Sequence, residues 1–194
     1  MILEEIEKYA KENSIPIIQE EGKEFLLNTI KEEKIKSILE IGSAIGYSAI
    51  VMANLDKDIN IDTIERDDSR YQIAVENIKN TKLEKQIKLI KTDALTFDIT
   101  NLKHTYDLLF VDGAKAQSQK FIEKYEELLN KNAIILIDNI NFHGFANDTK
   151  ITTNRNTKQL VRKIKEFKKW MLNNNQYDAK LYEVGDGIIL ARKK

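Results

Sequence analysis

The sequence predicts an α/β fold in which a mostly parallel sheet is flanked by helices. Three observations predict it. Short runs rich in isoleucine, leucine and valine alternate with amphipathic segments of helical length, the pattern of βαβ units around a parallel sheet. The runs are apolar throughout rather than every second residue, as suits strands buried on both faces. The chain has 194 residues, 42% hydrophobic and 32% charged, with one proline. That is enough to bury a core without staples, and it excludes disordered, collagenous and disulfide-scaffold classes.

Taken in order, two helices open the chain, Ile2 to about Asn13 and Glu20 to about Glu33. They are broken at Ile15-Pro16, because proline disfavours helix in the residue before it. Residues 1–35 thus read as an N-terminal helical cap on a single domain spanning 1–194. Strands follow at Ser37–Ile41, Ile59–Ile64, Ile87–Ile90, Leu108–Val111 and Ile134–Ile137, separated by helices at Tyr47–Leu55, Ser69–Asn80 and Gln117–Asn130. A long polar loop, Asn141 to Asn154, is of the kind that often carries function in compact domains. It leads to a basic helix, Asn156 to about Met171. Two last strands, Ala179–Glu183 and Gly187–Ala191, are joined by Val184-Gly185-Asp186 as a closing hairpin.

Composition removes several chemistries. With no cysteine and two histidines, thiolate catalysis, iron–sulfur clusters and cysteine zinc sites are excluded, so any metal must sit on oxygen ligands. The longest apolar runs, such as Ala133–Ile137, fall far short of a membrane span. The start, Met1-Ile2-Leu3-Glu4-Glu5, carries no signal peptide, so a cytoplasmic protein without a membrane partner is expected. Lys plus Arg and Asp plus Glu balance at 31 each, but Lys150 to Trp170 holds eight basic residues against Glu166 alone. Local charge, not net charge, decides phosphate contact.

The first strand ends in Glu40-Ile41-Gly42-Ser43-Ala44-Ile45-Gly46-Tyr47-Ser48, and a helix follows at once. Glycines at such a turn let backbone approach a ligand, and the helix start offers free N–H donors. A dinucleotide fold prefers three glycines in the GxGxxG spacing, whereas Gly42 and Gly46 are the two present. Glu40 would repel phosphate but suits a cationic amino-acid ligand, directly or through water, which points away from NAD. Glu65 closes the second strand about 20 residues beyond the glycines, where a carboxylate can hold a ribose diol. Asp93-Ala94 follows the third strand, placed to read an adenine amino edge. Singly, each admits a plainer role: Glu40 as a helix cap, Glu65 as a solvated strand end. At successive carboxyl ends of one sheet they describe a single crevice.

The fourth strand runs into Asp112 and the fifth into Asp138-Asn139. Adjacent parallel strands deliver their tips to the same edge, so three oxygens can face one hard cation, with positions left open for water or substrate. Alone, Asp112 reads equally as a cap on the next helix, and Asp138-Asn139 as a turn.

These motifs resemble the class I S-adenosylmethionine-dependent methyltransferases, from Pro16 to Ala191. The resemblance implies a Rossmann-like, seven-stranded sheet whose last strand is antiparallel, in keeping with the closing hairpin. It implies S-adenosylmethionine (SAM) as cofactor, contacted by Glu40, Gly42, Ser43, Tyr47 and Ser48 in the first motif. Ile18, Glu65, Arg66, Asp93, Ala94 and Asp112 complete the implied set. The second constellation is similar to the cation-dependent O-methyltransferases of the catechol and caffeoyl-CoA type. That resemblance implies Asp112, Asp138 and Asn139 as ligands of Mg2+ or Mn2+, Lys115 as general base, Asp112 within the catalytic centre, and a homodimer.

Such a metal demands two adjacent substrate oxygens, and both catechols and 5-hydroxyuridine supply them. Asn141-Phe142-His143-Gly144-Phe145, the loop through Arg155, the basic helix and Val184-Gly185-Asp186-Gly187-Ile188 resemble bacterial tRNA 5-hydroxyuridine methyltransferases, which make 5-methoxyuridine at the wobble position. This implies a tRNA anticodon arm as partner, contacted by Arg155, Lys158 and His143, with Phe142 or Phe145 available to stack on a splayed base. Ile164, Phe167 and Trp170 stand at helical spacing and read as core. A small catechol-like substrate stays open, as does a plain solvated role for the basic helix. A donor-binding module without catalysis is a third possibility, disfavoured by the intact Asp112, Lys115, Asp138 and Asn139 set.

Overall fold

The computed structural model describes residues 2–102, 104–113, 115–141 and 154–194, with Lys115 by its backbone alone. Two helices, α1 (Ile2–Glu12) and α2 (Glu20–Glu32), precede strands β1 (Ser37–Ile41), β2 (Asn60–Glu65), β3 (Ile87–Lys91), β4 (Tyr106–Val111) and β5 (Leu129–Ile137). Between them run α3 (Tyr47–Ala53), α4 (Asp68–Asn80) and α5 (Ser118–Tyr125), and the chain closes with α6 (Arg155–Leu172), β6 (Tyr177–Tyr182) and β7 (Ile188–Lys193). The seven strands form one sheet in the order β3-β2-β1-β4-β5-β7-β6. β1 to β5 pair in parallel, while β7 lies antiparallel between β5 and β6. This is the Rossmann-like methyltransferase architecture that the motifs imply.

Alternation along the strands divides the core between two faces. Ile38 and Leu108 join Leu26, Ile30 and Ile50 in a cluster beneath α2 and α3, whereas Leu39, Ile41 and Leu109 face Phe121, Ile122 and Ile164 of α5 and α6. Every residue of α3 is buried, because it is wedged between the sheet and helices α1, α2 and α4; a helix covered all round needs no polar face. α6 is amphipathic instead. Val161, Ile164, Phe167 and Met171 point inward at three- and four-residue spacing, and Arg155, Lys158, Arg162 and Lys163 stay exposed. The Asn154 side chain accepts from the Asn156 backbone N–H at 2.9 Å, satisfying an otherwise orphaned donor and setting the helix start. Phe167 and Ile164 are core as expected, and half-buried Trp170 stacks on Phe167 with ring centroids 5.9 Å apart.

Two boundaries depart furthest from expectation. The helix expected over Gln117–Asn130 is α5 followed by a 3-10 turn at Glu126–Leu128. β5 then begins at Leu129, opposite Tyr106, and resumes its main register at Ile134 opposite Leu108 after an irregularity. Asn132 lies between with φ of 65°, a left-handed bend that asparagine tolerates better than most residues. Among the described residues, no helix is long and apolar enough to cross a membrane.

Candidate active site

At the carboxyl edge of the parallel strands opens a cavity of about 600 Å³, within the size range of small-molecule sites. Each strand end contributes to it: Gly42 and Ala44 after β1, Glu65 and Arg66 at β2, Thr92 to Ala94 after β3, Asp112 and Gly113 after β4, and Asn139 after β5. Pro16, Ile17 and Gln19, between the two N-terminal helices, form a further wall.

Gly42 has φ of 97°, and a Cβ there would lie 3.0 Å from the Asp112 carbonyl oxygen and from the Gly113 Cα. The β1 tip therefore passes the β4 tip at a distance only glycine permits. Glu65 is 7% exposed, yet both carboxylate oxygens are occupied by backbone donors: Ala44 N–H to Oε2, and Arg66 and Asp67 N–H to Oε1, each at 2.8 Å. Those bonds tie the glycine turn to the β2 tip and fix the carboxylate at the cavity wall. Asp93 is held likewise, accepting from Leu95 N–H at 2.8 Å and facing the Arg66 guanidinium at 3.3 Å. Behind Ala94, the Tyr125 hydroxyl donates to its carbonyl at 2.8 Å.

Other residues of the glycine motif sit behind this wall. Glu40 is fully buried, and the Ser48 and Thr63 hydroxyls donate to its two oxygens. Burial pushes its carboxyl up to about 7, against the lowering effect of those hydroxyls. Its carboxylate thus joins β1, β2 and α3. Tyr47 is hydrogen-bonded to Glu7 and receives the Lys23 ammonium at 3.1 Å, joining α1, α2 and α3. Ile18 and Ser43 are buried as well, and the Ser43 hydroxyl has no hydrogen-bond partner among the described residues.

On the β4–β5 side, the cavity residues Asp112 and Asn139 converge with Asp138, which stands outside the lining. The Asn139 amide nitrogen lies 3.2 Å from a carboxylate oxygen of Asp112 and 3.2 Å from one of Asp138. Asp138 is 4% exposed and also accepts from the Asn139 backbone N–H at 2.7 Å. Asn139 itself adopts φ of 59°, which turns its side chain back onto the two acids. Two carboxylates and an amide meeting at one point form a hard-donor set suited to Mg2+ or Mn2+. Among the described residues, no group of three or more histidine, cysteine or acidic side chains gathers for a metal; here the third donor is an amide.

Lys115 opens a 3-10 turn, Lys115–Gln117, that packs against α6. Arg155 and Lys158 lie exposed in the first turns of α6. His143, Phe142 and Phe145 lie outside the described residues. Sequence reasoning missed the wall built by Pro16, Ile17 and Gln19, as well as Arg70, Gln117 and Phe121. Pro16 marked a helix break, and nothing local shows that the break folds over the sheet edge. Gly22, inside α2, was a usable signal: a Cβ there would touch both Asp138 carboxylate oxygens at 3.5 Å, and a helix-interior glycine commonly marks a close approach.

All of residues 1–194 match the family described as O-methyltransferase. The chain belongs to the O-methyltransferase family. It is 34% identical to a Staphylococcus aureus protein provisionally described as a caffeoyl-CoA O-methyltransferase, whose crystal structure superimposes with a TM-score of 0.95 over 99% of this chain and 92% of that one. A Bacillus cereus O-methyltransferase crystallised in complex with SAH is 25% identical, with a TM-score of 0.84 over 100% and 90% of the two chains. A catechol O-methyltransferase of Niastella koreensis is 28% identical across 80% of this chain and 72% of its own.

Proposed function

We propose that this O-methyltransferase transfers the methyl group of SAM to the 5-hydroxyl of 5-hydroxyuridine at the tRNA wobble position, giving 5-methoxyuridine. The observation that carries the chemistry is the convergence of Asp138 with the cavity residues Asp112 and Asn139 at the β4–β5 tips, while Glu65 lines the same cavity from the β2 tip. SAM is the donor that the family and the SAH complex of the Bacillus cereus relative support. Glu65 holds its ribose diol, and the Arg66–Asp93 corner meets its adenine. A divalent cation held by Asp112, Asp138 and Asn139 would supply the positive charge that lowers the pKa of a neighbouring hydroxyl.

The chain's own part is then short. Lys115 takes the hydroxyl proton, and the oxyanion so formed attacks the methyl carbon while the carbon–sulfur bond breaks. The electron pair leaves on sulfur as a neutral thioether, so no acid is needed, and the protein contributes chiefly proximity and alignment.

The basic α6 favours an RNA substrate. It exposes Arg155 and Lys158 and packs on the turn that carries Lys115, so phosphate contacts there position an anticodon arm beside the chemistry. His143 contacts the base in this reading. A tRNA substrate also implies a cytoplasmic enzyme; we further take the chain as one domain acting as a homodimer. A second reading, a small catechol-like substrate, is favoured by the names of the catechol and caffeoyl-CoA relatives.

The deciding experiment incubates the protein with Mg2+, methyl-labelled SAM and either tRNA containing 5-hydroxyuridine or a catechol. Labelled 5-methoxyuridine in digested tRNA is the expected product. Transfer to the catechol alone overturns the tRNA reading, and turnover unchanged by EDTA overturns the metal.

A further inference from the structure

Beyond the three residues read as metal ligands, the structure carries a second layer that fixes them. Asn139 is left-handed, with φ of 59°, a conformation that asparagine tolerates better than most residues and that sets the direction of its side chain. Two residues on, Asn141 is 6% exposed and makes three hydrogen bonds. Its backbone N–H donates to the Asp186 carbonyl at 2.7 Å, beside a bond from Ile140 N–H to the Gly187 carbonyl at 2.8 Å. Its side-chain oxygen accepts from the Lys168 ammonium at 2.5 Å, and its amide donates to the Glu183 carboxylate at 2.9 Å. Space for the amide exists because residue 187 is glycine: a Cβ there would lie 2.5 Å from the Asn141 amide nitrogen.

We propose that Asn141 is a positioning residue for the metal ligands, acting through the Lys168–Asn141–Glu183 chain. It clamps the backbone downstream of Asn139 to α6 and to the β6–β7 turn, so that the Asn139 side chain stays turned onto Asp112 and Asp138. Lys168 thereby has a different task from the exposed basic residues of the same helix: it joins α6 to the ligand strand. The proposal rests on the metal reading above.

The test is Mn2+ affinity of the full chain, titrated by electron paramagnetic resonance, with SAH affinity and thermal melting as parallel readouts. Wild-type protein is expected to bind Mn2+, and Asp138→Asn to abolish binding. Asn141→Ala weakens Mn2+ binding about tenfold or more, the size typical of a lost partner to a metal ligand, while SAH affinity stays within about twofold. Asn141→Asp keeps the acceptor for Lys168 but sets a carboxylate against Glu183, and it too loses affinity. Pairing it with Glu183→Gln restores a donor and recovers most of the loss in Mn2+ affinity while SAH affinity stays flat throughout, a selectivity that a merely structural residue would not produce. If Asn141→Ala fails to fold, Lys168→Met and the Asp/Gln exchange carry the same comparison. Mn2+ affinity within twofold of wild type in Asn141→Ala, or no recovery in the double variant, overturns the proposal. Absence of Mn2+ binding by the wild type, or binding indifferent to Asp138→Asn, instead removes the metal reading and the positioning role with it.

Discussion

The two ends of the cavity hold their carboxylates in different ways. At the β2 end, Glu65 accepts three backbone N–H bonds, so its position is set by the fold before any ligand arrives. At the β4–β5 end, Asp138 accepts one backbone N–H, that of Asn139, and Asp112 and Asp138 share the Asn139 side-chain amide at 3.2 Å to each. Backbone amides are fixed in direction, whereas an asparagine amide can present either its nitrogen or its oxygen. The first arrangement is a rigid receptor for a neutral diol. The second is a pair of acids whose neighbour can turn its oxygen inward when a cation replaces the amide protons.

The largest expected effect falls on the second end. Asp138→Ala should lower kcat/KM on the order of 100-fold or more while leaving SAH affinity nearly unchanged, as read by initial methyl-transfer rates and calorimetry. Equal losses in rate and SAH affinity would mean that the two ends are not separable. At the first end, Glu65→Gln turns an amide towards backbone donors and strands at least one of them, at a cost of about 1–3 kcal/mol. SAH affinity should fall about tenfold, and metal affinity should not.

These two carboxylates also show how far the sequence could be read. The strand-end acids and the glycine turn were visible because each sits where an apolar run stops, and parallel strands gather such ends on one edge. The partners were not visible. Nothing local to Glu40 shows that Ser48 and Thr63 occupy its oxygens, because that depends on a neighbouring strand and a following helix packing against it. The early start of β5 was hidden similarly, since Asn130-Lys131-Asn132 is polar and pairing with Tyr106 decides it. The Asn141 latch requires α6 and the β6–β7 turn to return to one point, which no short motif records.

A smaller effect separates the substrates. Arg155→Ala with Lys158→Ala should raise the KM for tRNA several-fold and reduce the slope of log affinity against log salt by about one per residue. Turnover of a catechol should not change, and an unaltered tRNA KM would assign the basic face to solvent.

The last prediction moves stability rather than rate. Burial raises the Glu40 carboxyl from 4.5 to about 7, so the native state holds a proton that the unfolded chain has lost. Stability should therefore be greatest below about pH 4.5 as far as this residue is concerned, and decline as pH rises through about 7. Denaturant titrations at pH 5 to 8 should show that decline, and Glu40→Gln should remove it. No comparable change is expected from substituting the exposed Arg162, whose pairing with Glu166 at 3.1 Å is a surface contact of small worth.

Because β7 is inserted between β5 and β6 although it comes last in chain order, assembly has a timetable. The parallel strands that shape the ribose end can associate as soon as they are synthesised, but the outer side of β5 remains an unpaired edge until Ile188–Lys193 arrives. An open edge of that kind invites pairing with another chain. The same late segment brings the Asp186 and Gly187 carbonyls to Ile140 and Asn141, so the acids at the far end acquire their support together with the pairing of β5.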